Sequence, residues 1–138
     1  VLEQNTPILG ICLGMQLMAK TSEEGINGDT QGLGWFDAEV VRFDVNDTLK
    51  YKIPHIGWNT VSISKESALM KDLPQDTSFY FVHTYHIKMR QQIDILNETE
   101  YGYKFTSAIE KDNIFGAQYH PEKSHDAGNQ FFKNFISI

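Results

Sequence analysis

The chain has 138 residues, of which 41% are hydrophobic, 12% aromatic and 22% charged, the composition of an ordinary globular protein with length for one domain and one core. A formal net charge of −6 excludes a surface built for nucleic acid or anionic lipid, because both attract clustered Lys and Arg. One cysteine, Cys12, excludes an internal disulfide and a cysteine-rich metal knuckle, and no apolar run reaches the roughly 18 residues of a spanning helix, so a cytoplasmic protein with no membrane contact is expected.

The chain opens at Val1 and almost at once enters Pro7-Ile8-Leu9-Gly10-Ile11, a short apolar run that predicts a buried strand of a parallel sheet. Leu13 to Lys20 changes to helix formers, with Leu13, Leu17 and Lys20 at i, i+4 and i+7 and Gly25 shortly beyond, which predicts a helix. Residues 24–34 hold four glycines with Asn and Asp and read as a loop. Phe36 to Arg42 alternates imperfectly with period two and Asn59 to Ser64 more cleanly, with Val61 and Ile63 on one face; both predict strands. Ser78 to Met89 predicts another, Ile93 to Leu96 a short one, and Tyr103 to Ile109 with Ile114 to Tyr119 a hairpin. Phe131, Phe132, Phe135 and Ile136 fall at helical spacing after a candidate N-cap, Asp126, which predicts a C-terminal amphipathic helix. The class is α/β with a mixed sheet.

Gly10-Ile11-Cys12-Leu13-Gly14 has the form G-x-C-x-G, the thiol version of a nucleophile elbow. A nucleophile on a sharp strand-to-helix turn is strained, and glycine on both sides supplies close approach without a Cβ. The helix that follows aims free N–H groups and its positive dipole end at Cys12, favouring thiolate. A bare cysteine is more often a small buried apolar residue; the strand, the paired glycines and the helix together favour the nucleophile. A base and an orienter are then needed. Of five histidines, His120 ends the strand Phe115 to Tyr119, and Glu122 lies two residues on. In extended chain both point to one side, so the Glu122 carboxylate accepts from His120 and leaves the other ring nitrogen for Cys12.

Gly-Ile-Cys-Leu-Gly-Met-Gln (10–16) and Gly-Ala-Gln-Tyr-His-Pro-Glu-Lys-Ser (116–124) resemble the two signatures of the class I (triad) glutamine amidotransferases. Ser-Glu-Glu-Gly (22–25), Gly-Leu-Gly (32–34), Pro-His-Ile-Gly-Trp-Asn (54–59), Phe-Val-His-Thr-Tyr (81–85) and Asn-Ile-Phe-Gly (113–116) are similar, more narrowly, to the glutaminase subunits of imidazole glycerol phosphate synthase. The resemblance implies a class I amidotransferase-like mixed sheet flanked by helices, and hydrolysis of L-glutamine to glutamate and ammonia through a γ-glutamyl thioester on Cys12, with His120 moving protons and Glu122 holding its tautomer. It implies that Leu13 gives an oxyanion N–H, that Gly14, Gln16, Thr84 and Tyr85 hold the glutamine, and that no cofactor is used. The implied partner is a (β/α)8-barrel cyclase subunit, bound as a heterodimer, which uses the ammonia to make imidazole glycerol phosphate in histidine biosynthesis; Trp58, Tyr80 and Lys123 lie in motifs that face it. The family carries a segment before the cysteine strand with a Pro-Gly-x-Gly turn that gives a second oxyanion donor. Only eleven residues precede Cys12, so residues 1–138 are expected to be roughly the C-terminal two thirds of an N-terminally truncated domain. Two neighbouring readings stay open: an amidotransferase subunit feeding a different synthase, such as one aminating a sugar for surface polysaccharide, or an inactive module that only binds a partner. A cysteine hydrolase of peptides is the reading the triad alone also allows.

His83-x-x-His86 has a metal-like spacing, but strand alternation puts i and i+3 on opposite faces and no acidic third ligand follows, so no metal is expected. Tyr80, Phe81 and Tyr85 read as core and interface rather than a platform for bases, and Glu23, Glu24, Lys111 and Asp112 as solvated loop charges.

Overall fold

The computed structural model describes residues 1–138. In chain order the elements are β1 (Ile8–Ile11), α1 (Leu13–Gln16), β2 (Thr21–Ser22), β3 (Thr30–Gln31), β4 (Ala38–Arg42), β5 (His55–Thr60), β6 (Ser62–Ile63), β7 (Ser78–His83), β8 (Tyr85–Met89), β9 (Ile95–Tyr101), β10 (Tyr103–Lys111), β11 (Ile114–Ala117) and α2 (His125–Ile136). Nine strands form one mixed sheet in the order β1-β11-β10-β8-β4-β2-β3, with β9 also on β10 and β6 on β9. β1 and β11 are parallel, as are β2 and β4. β5 and β7 pair antiparallel in a separate two-stranded sheet.

Period-two alternation drives opposite faces of the large sheet into two cores. Ala108 and Phe115 join Phe79, Phe81, Tyr119 and Phe131 on the side covered by β7 and α2. Their neighbours Ile109 and Ile114 join Met15, Met18, Phe36, Val40 and Ile87 on the side of α1. The predicted hairpin forms as β10 and β11, with Ala108 opposite Ala117 and Lys111 opposite Ile114. β1 pairs with β11 and is partly buried, with Gly10 its most buried residue.

Five other expectations are corrected. The first helix stops at Gln16 instead of reaching Lys20, because the Gly-Leu-Gly loop takes its last carbonyls: Leu33 N–H donates to Leu17 O, Gly34 N–H to Ala19 O and Gly32 N–H to Lys20 O. A Cβ on Gly32 would lie 2.1 Å from Ala19 O, so only glycine lets the loop approach. Two predicted strands break where the chain changes sheet: Asn59 to Ser64 at Val61, and Ser78 to Met89 at Thr84. The short strand predicted over Ile93 to Leu96 runs from Ile95 to Tyr101, carried inward by polar residues, since Asn97 and Thr99 are buried on hydrogen bonds to Ser107 and Tyr119. Finally, α2 begins one residue after Ser124 rather than after Asp126, and Ile136 points to solvent, 83% exposed, because its face lies off the Phe131 stripe.

Candidate active site

β1 delivers Cys12 to a turn with φ 52° and ψ −108°, a positive-φ conformation that a non-glycine residue holds only under constraint. The constraint is visible: Cys12 N–H donates to Ala117 O at 2.7 Å and Cys12 O accepts from Gln16 N–H at 3.2 Å. The two flanking glycines differ. A Cβ on Gly10 would lie 2.6 Å from the backbone of Gly14, whereas a Cβ on Gly14 would meet nothing within 4 Å. Close packing therefore requires only the first, correcting the symmetrical expectation. The thiolate expectation is corrected too. Burial pushes the Cys12 thiol up, more than the Leu13 backbone N–H and the Gln118 amide pull it down, and the charges of Glu122 and Glu24 push it further up. A helix of four residues has too few aligned peptides to reverse that.

β11 and the residues after it bring up the other two side chains. Ile11 pairs with Ala117, so Gln118 lies beside Cys12 and His120 two residues beyond. His120 Nδ1 and Glu122 Oε1 are 2.6 Å apart. The contact is made inside a 3₁₀ turn, Pro121–Lys123, not along extended chain as expected. His120 Nε2 is buried and has no partner. Ser124 locks the turn, its Oγ donating to His120 O at 2.6 Å and accepting from Tyr80 N–H at 3.0 Å. That leaves no side-chain cap for α2.

A cleft of about 210 Å3 opens at the elbow, lined by Cys12, Leu13, Gln16, Glu24, Val82, His83, Thr84 and Tyr85. It gathers Leu13, Gln16, Thr84 and Tyr85 at the sulfur and leaves Gly14 outside its lining. Glu24, read from sequence as a solvated loop charge, is one wall of this cleft; its position follows from the β2–β3 turn, which no local signal encodes. Gln118 was also missed. It is fully buried, its Nε2 lies 3.5 Å from Cys12 Sγ and its Oε1 accepts from Gln16 Nε2 at 3.0 Å. No local signal marks it, because β11 ends at Ala117 and the chain bends at 118–119, where strand alternation no longer assigns sides.

Behind Thr84 and Tyr85 runs a buried chain of rings. Asn59 Nδ2 is 3.3 Å from His55 Nε2, His55 Nδ1 is 2.9 Å from His83 Nε2, and His83 Nδ1 is 2.8 Å from Tyr85 O. The terminal carbonyl only accepts, so His83 Nδ1 carries a hydrogen, His83 Nε2 accepts from His55 Nδ1, and His55 Nε2 accepts from Asn59. Burial lowers His55 to about 4 and His83 to about 3. His83 and His86 stand in different sheets, rather than on opposite faces of one strand, because the chain breaks between them.

On the outside, Trp58 of β5 is 50% exposed, packs edge-on to Tyr80 at 6.1 Å and stacks on His125 at 5.4 Å. Lys123 is exposed on the adjoining 3₁₀ turn.

A mixed α/β sheet carries a cysteine elbow at the end of β1 and a histidine–carboxylate pair just beyond the adjoining β11, with Cys12 Sγ and His120 Nε2 not hydrogen-bonded to each other; this is the layout of a triad amidotransferase domain. The chain belongs to the family described as Glutamine amidotransferase class-I, which it matches over residues 1–138. It is 47% identical over 136 residues to the imidazole glycerol phosphate synthase subunit HisH 2 of Methanococcus maripaludis, covering 99% of this chain and 65% of that one. It is 44% identical over 138 residues to the subunit of the same name from Pseudomonas aeruginosa, covering 100% of this chain and 66% of that one. The chain thus spans just under two thirds of the length of these curated relatives. A glutamine amidotransferase structure from Thermotoga maritima superposes with a TM-score of 0.65 at 19% identity, over 99% of this chain and 49% of that one, which shows the shared fold. No helix is long and apolar enough to cross a membrane.

Proposed function

We propose that this chain is the glutaminase part of an imidazole glycerol phosphate synthase, working in the cytoplasm on L-glutamine. Cys12 Sγ attacks the side-chain amide carbon as its proton passes to His120 Nε2. His120 returns that proton to the amide nitrogen, the C–N bond breaks, and ammonia leaves a γ-glutamyl thioester. Water then attacks the thioester carbon, giving its proton to His120; the C–S bond breaks to release glutamate, and His120 passes that proton to the departing Cys12 sulfur. Glu122 on Nδ1 holds the imidazole in the tautomer whose Nε2 is free to accept. The observation that carries the reading is that ring: one nitrogen 2.6 Å from a carboxylate, the other buried with no partner. Leu13 N–H, the first of α1 and next in the chain to Cys12, serves the oxyanion. Gln16, Thr84 and Tyr85, which line the cleft, hold the glutamine, and the Glu24 carboxylate there suits its α-ammonium.

Trp58 and Lys123, both exposed, with the half-buried Tyr80 edge-on to Trp58, suit a protein partner, the (β/α)8-barrel cyclase subunit, since Trp and Tyr are enriched at binding hot spots. The test is glutamate release by the full-length protein with that partner. Cys12→Ala should abolish it and Glu122→Gln should lower kcat by about 10²-fold or more. Undiminished release by Cys12→Ala would sink the reading.

A further inference from the structure

Gln118 is fully buried, and the orientation of its amide is fixed by a sequence of contacts that begins at a backbone carbonyl. Tyr85 O lies 3.1 Å from one terminal atom of the Gln16 side chain. A carbonyl only accepts, so that atom is Nε2. The same Nε2 stands 3.0 Å from Gln118, and two amide nitrogens do not hydrogen-bond each other, so the facing atom is Gln118 Oε1. That leaves Gln118 Nε2 to face the sulfur, 3.5 Å from Cys12 Sγ. The register of β1 on β11, Ile11 opposite Ala117, sets the two residues side by side.

We propose that Gln118 is a further catalytic residue of the reaction above, its side-chain N–H donating to Cys12 Sγ to stabilise the thiolate and aim it, with Gln16 as the positioning residue that keeps that N–H forward. The proposal takes the thioester reaction from that reading; the contact with the sulfur stands apart from it. A thiolate accepts more strongly than a thiol or a thioester sulfur, so the bond tightens when Cys12 ionises for attack and again when the thioester expels it. The need is plain from what else faces the sulfur. Glu24 and Glu122 oppose a negative charge there, as does burial, and His83 of the cleft wall is held neutral. His120 takes the proton, and Leu13 N–H and Gln118 are the neutral donors.

The test is the pH dependence of Cys12 alkylation by iodoacetamide, read on the Cys12 peptide of the full-length protein. In Gln118→Met the midpoint should rise by about one pH unit. Gln118→Glu, which puts a carboxylate at the sulfur, should raise it further, and Gln16→Met should raise it less. With glutamine, Gln118→Met should lose about tenfold in kcat at neutral pH with KM unchanged, and recover at higher pH. In the wild type, where no variant has to fold, the side-chain amide NMR signal of Gln118 should shift with the same midpoint as alkylation. Unmoved midpoints in both Gln118 variants, or an amide signal blind to Cys12 ionisation, would overturn the proposal. If the wild type releases no glutamate while its midpoint still depends on Gln118, the substrate reading fails and the role of Gln118 toward Cys12 stands.

Discussion

Gly10 and Gly14 flank one cysteine and face different demands. An added methyl at Gly10 would press on the Gly14 carbonyl at 2.6 Å, a backbone contact that cannot swing away, while at Gly14 it would enter open space. Gly10→Ala should therefore destabilise the protein by on the order of 3 kcal/mol in urea unfolding. Gly14→Ala, on the first turn of α1, should change stability by less than about 1 kcal/mol and toward stabilisation, through helix propensity. Equal losses in the two variants would refute the steric account. The same contrast explains which site positions were legible in the sequence. Cys12 sits between glycines, and His120 and Glu122 lie two residues apart, so short-range spacing carried them. Gln118 touches Gln16 across 102 positions, and Glu24 reaches the cleft only because a loop folds back. Neither contact leaves a trace in local pattern.

Elements were legible where one periodicity runs from turn to turn, as in the β10–β11 hairpin, and illegible where it crosses a corner. Val61 and Thr84 continue an alternating pattern while the chain passes from one sheet to the other, and alternation alone does not register a change of partner. α2 shows the converse, since its apolar stripe gave the helix but not its seat. Asn134 fixes that seat by donating to Leu69 O and Lys71 O, and Gly128 lies against the 3₁₀ turn that carries Glu122. A Cβ on Gly128 would lie 1.8 Å from Pro121 O, so Gly128→Ala must push the turn and the helix apart. The expected consequence is a fall in kcat for glutamine of about 10²-fold with KM nearly constant, because a displacement near 1 Å at the His120–Glu122 pair spoils proton transfer more than binding. Unchanged kcat in the folded variant would show that α2 does not position the pair.

At the scale of the whole molecule, the junction between the two sheets is built on neutral imidazoles. His55, His83 and His86 surround Phe43, with ring centroids 6.2, 5.1 and 4.7 Å away. His55 and His83 are 2.9 Å apart through a single hydrogen, so a proton added to the accepting nitrogen would leave two N–H groups facing each other. His86 Nε2 lies 2.7 Å from the Tyr103 hydroxyl, which can turn from donor to acceptor, so there burial rather than hydrogen-bond direction opposes the added proton, lowering its pKa as it lowers the other two. The unfolded chain, with histidines near their ordinary value of about 6.5, binds these protons first. Stability is therefore full above about pH 6.5 and is lost as pH falls below it, each buried imidazole contributing at most about 1.4 kcal/mol per pH unit. Carboxylates titrate mainly below about pH 4.5, which leaves the interval from 6.5 to 4.5 to the histidines. Urea midpoints measured across that interval should fall steadily, and most of the fall should vanish when His55 and His83 are replaced together by glutamine. A flat profile would mean that the junction accommodates charge, and that the hydrogen-bond directions assigned to the chain from Asn59 to Tyr85 are wrong.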